Sequence, residues 1–183
     1  MTLLIVLLAG GALVFATVPA FRQELGRRAD ILFTNVRRAV NPGVVEVHPT
    51  GARASSELSG HPARFAADLV RNDYWAADMA RDHEPTLVFS FDGPTDLDNM
   101  VFTSGASGPA GSEYAQTARP KTIELVYSDG TGDTVTLQDV PAATTYSIHA
   151  RQTTSVTMRV TSVYPVTGTA VVAITEVEFF HLK

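Results

Sequence analysis

The hydrophobic pattern changes period once, at Asn41-Pro42-Gly43, and this change divides the chain into parts that obey different rules. Before it, apolar residues run together or recur at helical spacing. After it, they alternate. Proline blocks continuation of a helix, and glycine tolerates the turn that follows.

Met1–Phe21 (MTLLIVLLAGGALVFATVPAF) carries no charged side chain across 21 residues. As a helix it spans about 31 Å, enough for the hydrocarbon core of a bilayer. A cleaved secretory signal competes, because Val18-Pro19-Ala20 offers small residues to a peptidase, and a buried core helix is a third reading. The missing basic leader and the length of the apolar run favour a retained transmembrane helix over 1–21. From Arg22 to Val40, Leu25, Ala29, Leu32, Phe33, Val36 and Val40 recur at helical spacing with arginines between them. This predicts a basic juxtamembrane helix or linker over 22–43, in contact with membrane lipid.

Charge follows the same division. Residues 1–40 hold five Arg against two acids, a net +3, whereas residues 41–183 hold nine basic and seventeen acidic residues, a net −8. The acidic body argues against a nucleic-acid partner. The arginines just after the span would, on the positive-inside tendency, hold that side in the cytoplasm, although the tendency is weak for long translocated domains. The absence of cysteine excludes a disulfide framework, a thiolate zinc site and a cysteine nucleophile.

Beyond Pro42, strands are predicted at Val44–His48, Thr86–Phe91, Asn99–Thr103, Thr122–Ser128, Asp133–Gln138, Ser155–Tyr164 and Val171–His181. Leu87/Phe89/Phe91 and Val156/Met158/Val160 alternate most clearly. Ser128-Asp129-Gly130-Thr131 reads as a hairpin turn, Gly93-Pro94 and Gly108-Pro109 as loops, and Ala63–Val70 as a helical turn or two. Phe179-Phe180 places one ring on each face of a last strand. The fold class is mainly β: a jelly-roll β-sandwich over 44–183 preceded by a single N-terminal transmembrane helix.

Several short motifs occur in a telling order: Ala54-Ser55-Ser56, Phe65-Ala66-Ala67-Asp68, Asn72-Asp73-Tyr74-Trp75, Leu87-Val88-Phe89-Ser90-Phe91, Arg119-Pro120-Lys121, Tyr127-Ser128-Asp129-Gly130 and Ile174–Phe180. Together they resemble the discoidin-like (coagulation-factor type C) galactose-binding jelly rolls. Within these, the resemblance is to the NADase-type glycan-binding domains of membrane-anchored actinobacterial proteins. Leu69 departs from the pattern, standing where the family usually has glycine. The resemblance implies a structural Ca²⁺ held by Asp68, the Asn72–Asp73 turn and Glu176. The alternative is that Asp68 caps a turn and Glu176 pairs with an arginine. It also implies binding through loops at one end of the barrel, here Ala76–Pro85 and Ser104–Ala118. Tyr114 with Glu113 and Gln116, near Arg81 and His83, would supply an aromatic face and polar groups for a sugar.

Catalytic chemistry finds no motif. His48, His61, His83, His149 and His181 show no metal-hydrolase spacing, and no nucleophile elbow or phosphate loop is present. Asp92, Asp96 and Asp98 could ligate Ca²⁺, but the pattern lacks an EF-hand's order and reads as a solvated acidic turn. Trp75 reads as core rather than as a sugar platform. The expectation is a non-catalytic, single-pass protein of the cell membrane whose extracytoplasmic domain recognises cell-surface or cell-wall glycan. The alternative is an accessory subunit docking its jelly roll onto a membrane protein complex. The acidic surplus favours a neutral or basic ligand.

Overall fold

The computed structural model describes residues 43–106, 113–166 and 169–183. The expected helix over 1–21 and the segment from 22 to 42 lie outside these residues, and so does the loop expected at Gly108-Pro109. Among the described residues no helix is long and apolar enough to cross a membrane.

The described residues from 43 onward form one unit of eight strands. In chain order these are β1 (Val44–Val47), β2 (Gly51–Ala54), β3 (Trp75–Asp78), β4 (Thr86–Ser104), β5 (Arg119–Tyr127), β6 (Gly132–Thr136), β7 (Thr144–Tyr164) and β8 (Val171–Leu182). All named pairings are antiparallel, in the order β1-β8-β4-β7-β5-β6, with β2 added to β4 and β3 to β8. The first half of β4 pairs with β2 and the end of β7. Its second half pairs with β8 and the start of β7. Both long strands therefore pass through both layers of a sandwich, which is mainly β as the alternation predicts.

The two layers meet over aromatic rings. Phe89 and Phe91 of β4 each set an edge against Phe179 of β8, with centroids 5.3 and 5.5 Å apart. Leu87, Phe89, Phe91, Val156, Met158 and Val160 all point inward. Phe179 is fully buried while Phe180, on the opposite face, is half-buried. Trp75 is fully buried, and its indole N–H donates to the Ser56 carbonyl at 3.1 Å. It is core, and burying its ring with the N–H satisfied follows the usual rule for tryptophan.

Several boundaries differ from expectation. Gly93-Pro94 is no loop: it lies inside β4, where the pairing with β7 shifts register between Ser90 and Asn99. Such irregularities bend a strand without ending it. The acidic segment around Asp92 is consequently strand, not a solvated turn. Asp96 accepts from the Gln152 backbone amide at 2.8 Å and its side-chain amide at 3.1 Å. Asp98 accepts from Arg151, from the Leu182 amide and from His181, each at 2.8 Å. β7 begins at Thr144, well before Ser155. β2 (GARA) and β3 (WAAD) have no β-branched residues and were not predicted; their partners β4 and β8 define them. The Ser128–Thr131 turn does join β5 to β6, and Ala63–Ala67 is a 3-10 turn. Gly132 is obligatory because a Cβ there would lie 2.0 Å from the Leu125 carbonyl oxygen.

Asp98 ties three strands together, and its hydrogen bonds, the Leu182 amide foremost, hold its carboxyl below the usual carboxylate range. A depressed folded value means stability that is present above the unfolded value of about 3.9 and lost as pH falls through the folded one. Asp98→Ala should therefore destabilise the protein by about 1–2 kcal/mol at neutral pH, because it leaves charged and amide donors unpaired. Thermal melts across pH should show that difference shrinking below about pH 4 and vanishing in stronger acid.

Candidate functional site

Hydrogen bonds between strand ends gather the long connections at one end of the sandwich. The Met79 amide donates to the Ala170 carbonyl at 3.0 Å, Ala118 to Val171 at 2.8 Å, Gly105 to Ala173 at 3.1 Å, and Val160 to Pro85 at 3.0 Å. Residues 79–85, 105–106, 113–118, 165–166 and 169–170 thus share this end, and the segment that starts at Ser55 joins it where the Ser55 amide donates to the Thr86 carbonyl at 3.0 Å.

Tyr114 opens a 3-10 turn (Tyr114–Gln116) and is half-buried. Its hydroxyl donates to Asp139 at 2.8 Å. Arg119 grips the same carboxylate with two parallel bonds, Nε to Oδ1 at 2.8 Å and Nη2 to Oδ2 at 2.9 Å. The Arg119 guanidinium carbon lies 5.1 Å from the Tyr114 ring centroid. Gly105 lets the ring approach, since a Cβ there would meet it at 2.7 Å. Burial and Asp139 push the Tyr114 hydroxyl above its ordinary value, while Arg119 holds the Asp139 carboxyl below its own. Tyr114 therefore has its hydroxyl engaged and its ring packed against Gly105 and Arg119. Burial first, then the Glu113 carboxylate, push the Tyr74 hydroxyl above its ordinary value, and the Tyr74 ring stacks on His61 with centroids 4.1 Å apart. Gln116 is exposed.

Arg81 and His83 lie on the neighbouring 79–85 connection, both exposed. Arg81 pairs loosely with Asp78 at 3.5 Å. Among the described residues no hydrogen bond or ion pair joins Arg81 or His83 to Tyr114. Of the residues around Glu113 and Tyr114, Asp139 was not singled out from the sequence, and His61, Tyr74 and Arg119 were named there without a role at this place. Nothing in their spacing announces these contacts. An open groove was also not foreseen; it runs outside β2 from residue 52 to residue 65.

The carboxylates at 68 and 176 are brought together. Asp68 Oδ1 accepts from the Val70 amide at 2.9 Å, so it does cap a turn. Glu176 lies on β8 opposite Thr103, is 1% exposed, and receives no hydrogen bond at either carboxylate oxygen. It has no arginine partner among the described residues. The Thr103 and Ser104 hydroxyls of the adjacent strand are also buried without partners. Burial first, then the charges of Asp68 and Glu178, push the Glu176 carboxyl up to about 9. The Leu69 and Val177 amides offset part of this, though neither reaches hydrogen-bond geometry. Burial and the Asp73 charge raise Asp68 as well. Asp73 is half-buried and Asn72 exposed. No three His, Asp or Glu side chains converge among the described residues. The orphaned Glu176 oxygens, the adjacent Asp68 and the bare hydroxyls are all hard oxygen donors, which fit Ca²⁺ rather than a softer metal.

Leu69, between these groups, has φ +62° and is 39% exposed. It takes the left-handed conformation that glycine adopts freely, at a cost of about 1–2 kcal/mol for other L-residues. Leu69→Gly should be neutral or stabilising by up to about 1 kcal/mol, whereas Leu69→Val should cost about 1–2 kcal/mol through β-branching at positive φ. Chemical denaturation of the two variants checks both signs.

No protein-family profile and no curated protein sequence matches the chain. Solved structures do. The F5/8 type C domain of a Bacteroides fragilis protein superposes with a TM-score of 0.59 at 13% identity, over 77% of this chain and 98% of that one. The family 32 carbohydrate-binding module of Clostridium perfringens NanJ, solved with galactose, gives 0.55 at 16% identity over 75% and 100%. A pectin-binding carbohydrate-binding module gives 0.54 at 13% identity over 73% and 91%. The fold is that of the discoidin-like galactose-binding jelly rolls. The expected fold resemblance is therefore correct.

Proposed function

We propose that this chain is a non-catalytic glycan-binding module held at the outer face of a cell membrane. The observation that carries the reading is the likeness over nearly their whole length to carbohydrate-binding modules, including ones solved with galactose and with 4,5-unsaturated mannuronic acid. Loops at one end of a β-scaffold are where such sandwiches carry recognition. In this reading Arg81 and His83 meet sugar hydroxyls from the 79–85 connection. Glu113, Tyr114 and Gln116 form the opposing wall, with the Tyr114 ring held in place by Asp139, Arg119 and Gly105. The uncharged Met1–Phe21 run is the anchor, and the NADase-type domains of anchored actinobacterial proteins remain the relatives we favour.

A glycan array probed with the full chain tests the module. Binding should fall about tenfold or more in a His83→Ala/Tyr114→Ala double variant, as expected when a stacking face and a polar contact are lost. Unchanged binding would refute the site. No glycan bound, together with a stoichiometric protein partner in detergent pull-downs, would assign the chain to an accessory subunit of a membrane complex instead. Carbonate washing should leave the chain in the membrane, and protease shaving of intact cells should remove the domain.

We further propose that Asp68 and Glu176, with oxygens of the 69–73 turn, hold a structural Ca²⁺. The bound ion would neutralise the carboxylate that β8 buries and fix the turn against the strand. Calcium should raise the melting temperature and chelator reverse it. Glu176→Gln should abolish the calcium response yet be at least as stable as the wild type in chelator, because a buried amide costs less than a buried carboxylate. A melting temperature indifferent to calcium would end this proposal.

A further inference from the structure

The groove outside β2 has a charge pattern opposite to that of the domain. It consists of two contiguous open lobes of about 600 and 470 Å³ that share Glu57, Pro62 and Arg64. Seven arginines follow residue 43. Arg81, Arg119, Arg151 and Arg159 are in ion pairs. Arg53, Arg64 and Arg71 form none among the described residues, and the first two line this groove. Glu57 is the one acid in either lining, and its carboxylate is occupied by the Ala63 amide at 2.8 Å. The Arg64 guanidinium is stacked 4.8 Å from the Phe65 ring centroid, which limits its freedom before any ligand arrives. Its other charged neighbour, Asp68, feels it only as a minor influence.

We propose that this groove recognises a carboxylated saccharide, a hexuronate unit, with Arg53 and Arg64 supplying the carboxylate contact and Pro62 and Phe65 the apolar contact to the ring. The inference rests on the glycan-binding reading and adds to it a second, charge-selective surface. A guanidinium presents a planar fork that matches a carboxylate with two hydrogen bonds. The lobes are far larger than a lone phosphate or sulfate needs and fall in the range of small-molecule sites, about 300–1,000 Å³. The net −8 of residues 41–183 repels an extended anionic surface such as a bilayer or nucleic acid. A short uronate carries one charge per ring and meets only the local positive field. The whole-domain charge favours a neutral ligand, and the groove reverses that preference where the arginines stand unpaired.

Isothermal titration of the full chain in neutral detergent compares trigalacturonate with neutral galactotriose. Trigalacturonate should bind about tenfold or more tightly, with the preference shrinking as salt screens the contact. An Arg53→Ala/Arg64→Ala variant should lose that preference while keeping its melting temperature and its affinity for galactotriose, since both side chains are exposed. Arg53→Lys/Arg64→Lys should retain part of it, through charge without the fork. Equal or tighter binding of galactotriose overturns the charge-selective surface but leaves the glycan-binding reading standing. A preference that survives the double alanine variant overturns the site. Arginine-dependent retention on phosphatidylglycerol vesicles without trigalacturonate binding overturns it in favour of lipid. Failure of the array described above, by contrast, would remove the glycan reading itself.

Discussion

The pairing of β4 with β7 is the constraint on which the rest of the sandwich depends. It runs from Thr86 opposite Arg159 to Phe102 opposite Thr144, and both strands cross from one layer to the other along the way. A strand that crosses must twist and lose regular partners somewhere. Here the losses fall between Ser90 and Asn99. Side chains take over there: Asp96 receives the Gln152 amide, where Gln152 itself sits at φ +48°, and Asp98 receives Leu182. Asp96 and Asp98, which the sequence reads as part of a solvated acidic turn, are instead replacements for missing backbone partners.

With the two layers fixed, β8 has its inner face against Phe89 and Phe91, and β3 adds to its edge with Trp75 pointing into the core. This places Glu176 in a position that hydrophobic packing alone would not choose. A carboxyl with no donor, beside a second carboxyl, lowers stability unless something compensates it. The left-handed Leu69 next to it is a second local cost. Two unfavourable features lie close together here, beside the Thr103 and Ser104 hydroxyls that are also buried without partners, and the proposed calcium site rests on these observations.

How much of this was legible in the sequence depends on what each residue's role requires. Leu87, Phe89 and Phe91 announce a strand because burial on one face imposes a period of two. β2 and β3 do not, because alanine and glycine carry little preference and only their neighbours make them strands. Trp75 was legible as core because its place after Asp68 resembles one that packs into the core of the discoidin-like jelly rolls. Asp68 and Glu176 came through family resemblance, since no local rule links residues so far apart. Asp139 was missed for the same reason: its bonds to Tyr114 and Arg119 depend on where the connection between β6 and β7 passes. The groove was missed because it needs Arg53 and Arg64 brought together by the turn between them, and because the acidic average of the domain hides them.

The central claim is that the chain reads glycans with the connections at one end of the sandwich and with β2 beside them, while the other strands and the opposite turns serve as scaffold. Hydrogen–deuterium exchange of the full chain, with and without a glycan that the array identifies, tests this most directly. The account predicts slowed exchange in residues 55–74, 79–85 and 113–118, with no change at the Ser128–Thr131 turn or around Asp96 and Gln152. Protection confined to the opposite end, or spread over the strand faces, would contradict it.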